Sequence, residues 1–105
     1  MKVYLVKHDR STISGNNLEL IAFSTYDKAY KKYKRLIVEE KKPNNSWVGK
    51  LKWKNGIPWG NGIGFEFLER LSETDETECY WSISDTRNLG VRTCISIEIK
   101  EVLEK

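Results

Sequence analysis

The sequence predicts an α+β domain in which one amphipathic helix packs on a largely antiparallel sheet of about five to seven strands. Three observations support this fold class. A single stretch has helical periodicity, several short segments alternate apolar and polar residues, and an Asn-Gly pair marks a tight hairpin. The predicted order is β-β-α-β-β-β-β-β. At 105 residues, the chain is expected to form a single domain over residues 1–105.

The first segment is expected to form two antiparallel strands. Residues 3–6, Val-Tyr-Leu-Val, are a short apolar run that is typical of a central strand buried on both faces. Residues 8–17 are polar and rich in turn formers, so they predict a loop that begins with His8 at the exposed end of the strand. The second strand is predicted over residues 18–23.

One stretch has the periodicity of an amphipathic helix. Ser24 is the predicted N-cap, and Asp27 takes the place of the acidic residue of a capping box. The apolar stripe consists of Tyr26, Ala29, Tyr30, Tyr33, Leu36 and Ile37. The other face is basic, with Lys28, Lys31, Lys32, Lys34 and Arg35. The helix is expected to end near Lys41, because Pro43 disfavours helical geometry in the residue before it.

The middle of the chain contains three of the four tryptophans. Residues 47–53 alternate in polarity, which predicts a strand whose core side is formed by Trp47, Leu51 and Trp53. The Asn-Gly pair at residues 55–56 predicts a two-residue type I′ turn. This turn fixes a register that pairs Trp53 with Pro58, and since opposite residues share a face, Pro58 joins the core side.

The same register places Trp59 opposite Lys52, on the outer side of the hairpin. Its neighbours there are the basic residues Lys50, Lys52 and Lys54. Pro58 restricts this strand to an edge, because proline cannot donate to a ladder. Four interpretations of Trp59 stay open: a cover for the second face of the sheet under a loop, a local cation–π pair with Lys52, a stacking platform for nucleic acid, and an anchor in a protein interface.

The second half is predicted to contain a glycine-rich connection at residues 60–64, a strand over residues 65–71 and a final hairpin. Between them, residues 72–78 form an acidic loop. Its carboxylates are expected to be solvated, with phosphate mimicry as the alternative. The final hairpin turns near residues 86–88 and places Cys79 on its apolar face, opposite Ile95.

Cys94 falls on the other face of that hairpin, so the two cysteines are expected to be free thiols that share no metal ion. One histidine and two cysteines are too few for a typical metal site, and no cofactor is predicted. The pair His8-Asp9, with Ser11 or Ser14 nearby, has residue types of a nucleophilic site, but such letters co-occur by chance in most chains and a real site is set by geometry rather than by adjacency. The glycines of residues 60–64 lack the Lys-Ser/Thr of a phosphate-binding loop. We therefore expect a protein that is not an enzyme.

Net charge is +3, but its distribution is uneven. Residues 1–54 contain 13 Lys/Arg and 5 Asp/Glu, whereas residues 55–105 contain 5 and 10. The chain is therefore expected either to carry a basic and an acidic face or to mix the charges within one sheet. The sequence contains no apolar run long enough for a membrane span or a signal peptide, which predicts a cytoplasmic protein.

The first third resembles a recurrent opening of small uncharacterised bacterial and phage proteins, in which a "vyvv" strand, a loop and an "ig(v/i)fst" strand lead into a helix with "kA" in its first turns. The matching residues lie at 3–6, 21–25 and 28–29. The resemblance implies a strand–loop–strand–helix opening and transfers no functional residue. Small size, many lysines and the absence of enzyme motifs are similar to accessory proteins of phages and mobile elements, many of which inhibit a host enzyme or defence system by binding it.

These features predict a non-enzymatic protein that occupies a surface of a partner protein, as a phage or mobile-element inhibitor of host machinery or defence would. The alternative is a small nucleic-acid-binding protein. The candidate binding residues are the same for both: Lys31, Lys32, Arg35, Lys50, Lys52, Lys54 and Trp59. A monomer or a weak dimer is expected, with strand pairing along residues 57–59 opposed by Pro58 and the lysines.

Overall fold

The structure, a computed structural model, describes residues 1–43, 46–88 and 90–103. In these residues the chain forms β1 (Lys2–Thr12), β2 (Gly15–Phe23), α1 (Tyr26–Lys41), a 3₁₀ turn (Val48–Lys50), β3 (Lys52–Lys54), β4 (Ile57–Trp59), β5 (Ile63–Leu68), β6 (Tyr80–Asp85) and β7 (Val91–Glu101). Five strands form one antiparallel sheet in the order β2-β1-β7-β6-β5, and β3 and β4 form a separate hairpin. The α+β fold class is therefore confirmed.

The helix and the hairpin cover one face of the sheet. Beneath them lie the buried residues Tyr4, Val6, Trp81, Ile83, Ile95 and Ile97. The helix adds Tyr26, Ala29, Tyr33 and Ile37, as its apolar stripe predicts, and Tyr30 and Leu36 are partly buried at its margins. The other face of the sheet has no helix over it in the described part of the chain, so its side chains are half-buried or exposed.

Strand β1 is longer and less buried than predicted. It continues to Thr12, so the predicted loop at residues 8–17 is wrong: most of these residues belong to the β1–β2 ladder, which closes in a short turn before Gly15. Only one face of this strand packs on the core, so the prediction that it is buried on both faces is also wrong. Polar residues are therefore tolerated on its other face. His8 lies on the core side and is buried rather than exposed.

The helix begins one residue later than predicted. Thr25, not Ser24, is the N-cap, and its hydroxyl accepts from the backbone N–H of Lys28 at 3.4 Å. A Thr oxygen satisfies one of the otherwise free N–H groups of the first turn as Ser would. The predicted end at Lys41 is confirmed. No helix in the described residues is long and apolar enough to cross a membrane.

Residues 47–53 do not form the predicted strand. The chain makes a 3₁₀ turn over Val48–Lys50, which buries Val48, and only three residues then pair as β3. The turn that follows is as predicted. Asn55 and Gly56 have φ values of 54° and 76°, and Trp53 pairs with Pro58.

The last hairpin has the predicted faces but a different register. Trp81 is opposite Ile95, and the Cys79 carbonyl accepts from the N–H of Ile97 at 2.8 Å, so the predicted pairing of Cys79 with Ile95 is wrong. The observed register differs from the predicted one by two residues, and a shift of two leaves each side chain on its predicted face of the hairpin. Cys79 is therefore in the core and Cys94 on the other face, and both are free. Strand β5 ends at Leu68, earlier than predicted.

Candidate interaction surface

The β3–β4 hairpin is anchored through Trp53. The indole ring stacks on Trp81 with centroids 6.0 Å apart and an interplanar angle of 8°, and it meets Phe65 edge-on at 6.4 Å. Its Nε1 donates to the carbonyl of Val48 at 3.3 Å, and Lys41 Nζ lies 4.7 Å from its centroid. The inner side of the hairpin is thus fixed by aromatic packing, a hydrogen bond and a cation–π contact. Trp47 also packs towards the core, where its Nε1 donates to Thr93 at 3.0 Å.

The outer side of the hairpin exposes two large apolar residues, each opposite a lysine of the other strand. Trp59 is 66% exposed and Ile57 is 52% exposed, while Lys52 and Lys54 alternate with the inward-facing Trp53. We call Lys52, Lys54, Ile57 and Trp59 the hairpin face. Lys50 is exposed just before it, at the end of the 3₁₀ turn. The interpretation that Trp59 covers the second face of the sheet is wrong, because its ring is in solvent.

The cation–π interpretation of Trp59 has no contact in its favour. In the described part of the chain, cation–π contacts occur at Tyr26, Tyr30 and Trp53, not at Trp59. Lys52 pairs with Trp59 across the hairpin, but its ammonium does not lie over the ring. Most of the Trp59 side chain therefore stays available to a ligand.

The basic residues of the helix lie on the same side of the molecule as the hairpin face. Both elements cover one face of the sheet, so Lys31 and Arg35, on the helix surface opposite the buried stripe, point away from the sheet as the hairpin face does. Lys32 is half-buried. A shallow cleft of about 300 Å³ joins the two elements and is lined by Ile57, Lys41 and other residues of both. The structure thus groups Lys52, Lys54 and Trp59 on one hairpin and places Lys31 and Arg35 on the outward surface of a second element, whereas Lys32 lies on the flank of the helix opposite Lys41, away from the hairpin.

The two oppositely charged halves of the chain interleave. In the described residues five ion pairs join them: the Met1 α-ammonium with Glu101, Lys2–Glu76, Lys7–Glu98, Lys34–Glu69 and Asp27–Arg70. Among the residues that the structure describes, Lys34 of the helix surface pairs with Glu69, but the six basic candidate binding residues make no ion pair; these are Lys31, Lys32, Arg35, Lys50, Lys52 and Lys54. The ion pairs between the two halves therefore neutralise much of the charge asymmetry, but the outer surface of the helix and hairpin stays basic.

The acidic loop is used largely within the chain. Glu76 accepts from the Tyr4 hydroxyl at 2.9 Å, Asp75 accepts from the backbone N–H of Leu71 at 3.2 Å, and Glu78 accepts from the N–H of Ile99 at 3.3 Å. The contacts of Glu76 and Glu78 fasten the loop to β1 and β7, and the contact of Asp75 closes a local turn.

A buried polar cluster, which the sequence analysis missed, ties β1 to the end of the helix. The Glu40 carboxylate is 0% exposed and lies 2.6 Å from His8 Nε2, and it also accepts from Arg10 Nε and Ser46 Oγ at 2.6 Å each. Burial raises the pKa of Glu40, but the hydrogen bonds from His8, Ser46 and Arg10 outweigh it and lower the pKa from 4.5 to about 2. We call Glu40, His8, Arg10 and Ser46 the Glu40 cluster.

The Glu40 cluster has the composition of a catalytic site but not its arrangement. Ser46 donates to Glu40 rather than to His8, and Glu40 and His8 are buried. The sequence signal was the position of Glu40, three residues after Ile37 and seven after Tyr33, in line with the buried stripe. No group of three or more metal-binding side chains is placed to hold an ion in the described ranges.

Comparisons with protein-family models, with curated proteins and with solved structures found no match to this chain. The likeness of the first third to small bacterial and phage proteins therefore stays a prediction.

Proposed function

We propose that this protein is a non-enzymatic binding protein and that the hairpin face is its contact surface for a partner protein. The observation that supports this most directly is the exposure of Trp59 beside exposed Ile57 on an anchored hairpin. Tryptophan is enriched among the residues that dominate binding energy in protein interfaces. Burying such a side chain at an interface contributes on the order of 2 kcal/mol.

The anchoring of the hairpin supports the same role. Trp53 and Pro58 hold the inner side against the sheet, and a two-residue turn fixes the strand register. A side chain displayed from such a support loses little further freedom when it binds, which favours affinity. The lysines around Trp59 suit a partner whose contact surface has an acidic rim. Inhibition of a host enzyme or defence system by a phage or mobile-element protein is the form of this role that we favour.

A direct test is affinity capture from a bacterial lysate with immobilised wild-type protein and with Trp59→Ala. Leu71→Ala is a matched control, because Leu71 is also an exposed apolar residue but lies outside the hairpin. We expect a protein that wild type and Leu71→Ala retain and that Trp59→Ala loses. Retention of the same protein by all three variants would contradict the role of the hairpin face.

Nucleic-acid binding is the second candidate, and one observation favours it. The unpaired basic side chains of the helix and hairpin lie on the same side of the molecule as the exposed indole of Trp59, the combination with which single-strand binders contact backbone and bases.

Titration against labelled single- and double-stranded DNA and RNA at low and moderate salt separates the two candidates. Nucleic-acid affinity that depends on phosphate contacts falls steeply as salt rises. Micromolar binding that weakens with salt and with Trp59→Ala would favour nucleic acid. Absence of binding at low salt would leave the protein partner as the proposal.

A further inference from the structure

The two edges of the five-stranded sheet differ in length and in cover. The β5 edge has six residues, includes Glu66 and begins beside strand β4 of the hairpin. The β2 edge has nine residues, Gly15–Phe23, and all of them except half-buried Phe23 are exposed. In the described part of the chain no strand pairs with the outer side of β2. Its outward N–H and C=O groups are therefore open to another strand.

Strand β2 lacks the features that usually protect a free edge. Proteins block such edges with lysines, prolines, bulges or short strands. The strand GNNLELIAF contains no lysine or proline, and its single charge is Glu19. Two of its leucines are well exposed, Leu18 at 59% and Leu20 at 53%, and both project from the sheet face that the helix leaves open. The long, apolar β2 edge thus offers both backbone and side-chain contacts to a strand.

We propose that this edge pairs with β2 of a second copy of the chain, antiparallel, with Leu20 of each copy opposite Leu20 of the other. Two identical strands in an antiparallel pair are related by a twofold axis, so the residue on the axis sets the whole register. An axis at Glu19 gives the longest overlap, but it places two carboxylates directly opposite each other, which is destabilising.

An axis at Leu20 removes this repulsion and still pairs seven residues, 17–23. Glu19 is then opposite Ile21 of the second copy, and Leu18 is opposite Ala22. On the open face, the two Leu18–Ala22 pairs and the two Leu20 side chains form a continuous apolar strip, while the Glu19–Ile21 pairs lie on the helix side. An axis at Leu18 would instead place Leu20 opposite Asn16, which breaks the strip. The side-chain pattern of β2 is therefore self-complementary in the Leu20 register.

The resulting dimer has a continuous sheet of ten strands. Because the axis is normal to the sheet, both helices lie on one side and the two hairpins lie towards the far ends, over β5 and β6 of each copy. Pairing through β2 therefore leaves the hairpin face free and does not rest on the proposed function. Seven paired residues make a small interface, so we expect association that depends on protein concentration in the micromolar range.

Sedimentation equilibrium of the full chain tests the association, with Leu20→Lys as the disruptive variant. Leu68→Lys is the matched control, because Leu68 is an exposed leucine near the end of the β5 edge, on the same face. We expect wild type and Leu68→Lys to reach twice the 12.3 kDa monomer mass as concentration rises and Leu20→Lys to stay monomeric. A wild-type monomer up to millimolar concentration, or a dimer that Leu20→Lys leaves intact, would overturn the proposal. Circular dichroism checks that each variant is folded.

Disulfide trapping tests the register of the strand pair and distinguishes specific pairing from non-specific association. The background is Cys94→Ser, which removes the half-buried thiol, while Cys79 is buried. Under mild oxidation we expect Leu20→Cys to form a covalent dimer rapidly, because opposite residues of a strand pair satisfy disulfide distances. Leu18→Cys and Ala22→Cys are each expected to crosslink slowly alone and rapidly when mixed. Equal rates for all single variants, or a faster rate for Leu18→Cys alone, would refute the register.

Discussion

The helix and the hairpin cover the same face of the sheet, but they are held there in different ways. The helix buries five side chains and ends at the Glu40 cluster, in which Glu40 and His8 are buried. The hairpin depends mainly on the ring of Trp53 and on Pro58. Their outer surfaces differ in the opposite sense, since the helix exposes mostly charged residues and the hairpin exposes Ile57 and Trp59. Stability and recognition are therefore concentrated in different elements of one layer.

The largest effect is expected from Glu40→Ala. This change leaves His8, Arg10 and Ser46 without their common acceptor, and breaking a buried ion pair in this way costs about 3–5 kcal/mol. The measurement is urea unfolding followed by circular dichroism. The control is Glu39→Ala at the adjacent position, where the carboxylate meets Lys42 at the surface and the expected cost is below about 1 kcal/mol. Equal losses of stability for the two variants would mean that the buried contacts of Glu40 do not anchor the helix more strongly than a surface ion pair.

Acid is expected to loosen the helix anchor next. The pKa of Glu40 is lowered from 4.5 to about 2, so the stabilisation is complete above pH 4.5 and is lost as pH falls towards 2. This group alone accounts for roughly 3 kcal/mol over that window. The pKa values of Asp85 and Glu98 are also lowered, by hydrogen bonds from Arg87 and Lys7 respectively, and add to the loss. Unfolding free energies measured across the window should therefore fall less steeply for Glu40→Gln than for wild type.

The two tryptophans of the hairpin should differ sharply in their effect on stability. Trp53→Ala removes the stack on Trp81 and is expected to cost about 3 kcal/mol. Trp59→Ala removes an exposed ring and should change the free energy of unfolding by less than about 0.5 kcal/mol. Chemical denaturation of both variants checks this. A large loss from Trp59→Ala would mean that its ring packs in solution and that the hairpin face is a structural surface.

The smallest effect is expected at the hairpin turn. Gly56 has φ +76°, a conformation that is strained for any side chain, so Gly56→Ala should cost about 1 kcal/mol. Asn55→Gly is the control, because glycine adopts the φ of 54° at that position without strain. Thermal unfolding compares the two variants. We also expect Gly56→Ala to weaken partner binding, since the turn sets the orientation of Trp59.

Local patterns in the sequence predicted the elements that depend on local physics. The helix stripe, its end at Lys41 and the register fixed by Asn55-Gly56 all follow from spacing and backbone preference, and the structure has them. Residues 47–51 were mistaken for a strand, because alternating polarity also fits a 3₁₀ turn that buries Val48 and exposes Lys50. Periodicity reports which side chains are apolar, not how the backbone turns between them.

The errors arose where distant segments meet. His8 and Arg10 are polar residues on a strand, and both bind the Glu40 carboxylate of the helix. No local pattern near His8 predicts a contact with a carboxylate 32 residues away. The hairpin face was predictable as a set of outward residues, since a two-residue turn determines the faces of both strands. Its position beside the basic helix surface depends on how both elements pack on the sheet. Its role in binding stays a prediction.

The pairing of β1 with β7 at the centre of the sheet has a kinetic consequence. Lys2 is opposite Glu101, so the innermost ladder joins segments that are almost the whole described chain apart. Closing so long a loop before its contacts form is slow, and sheets built from such distant pairs fold in milliseconds to seconds rather than microseconds. During synthesis on the ribosome, β1 and β2 emerge before β7 has been made, so their hairpin at first lacks its central neighbour. The edge of β1 that β7 will occupy stays open until β7 has been made, which makes this interval a period of aggregation risk.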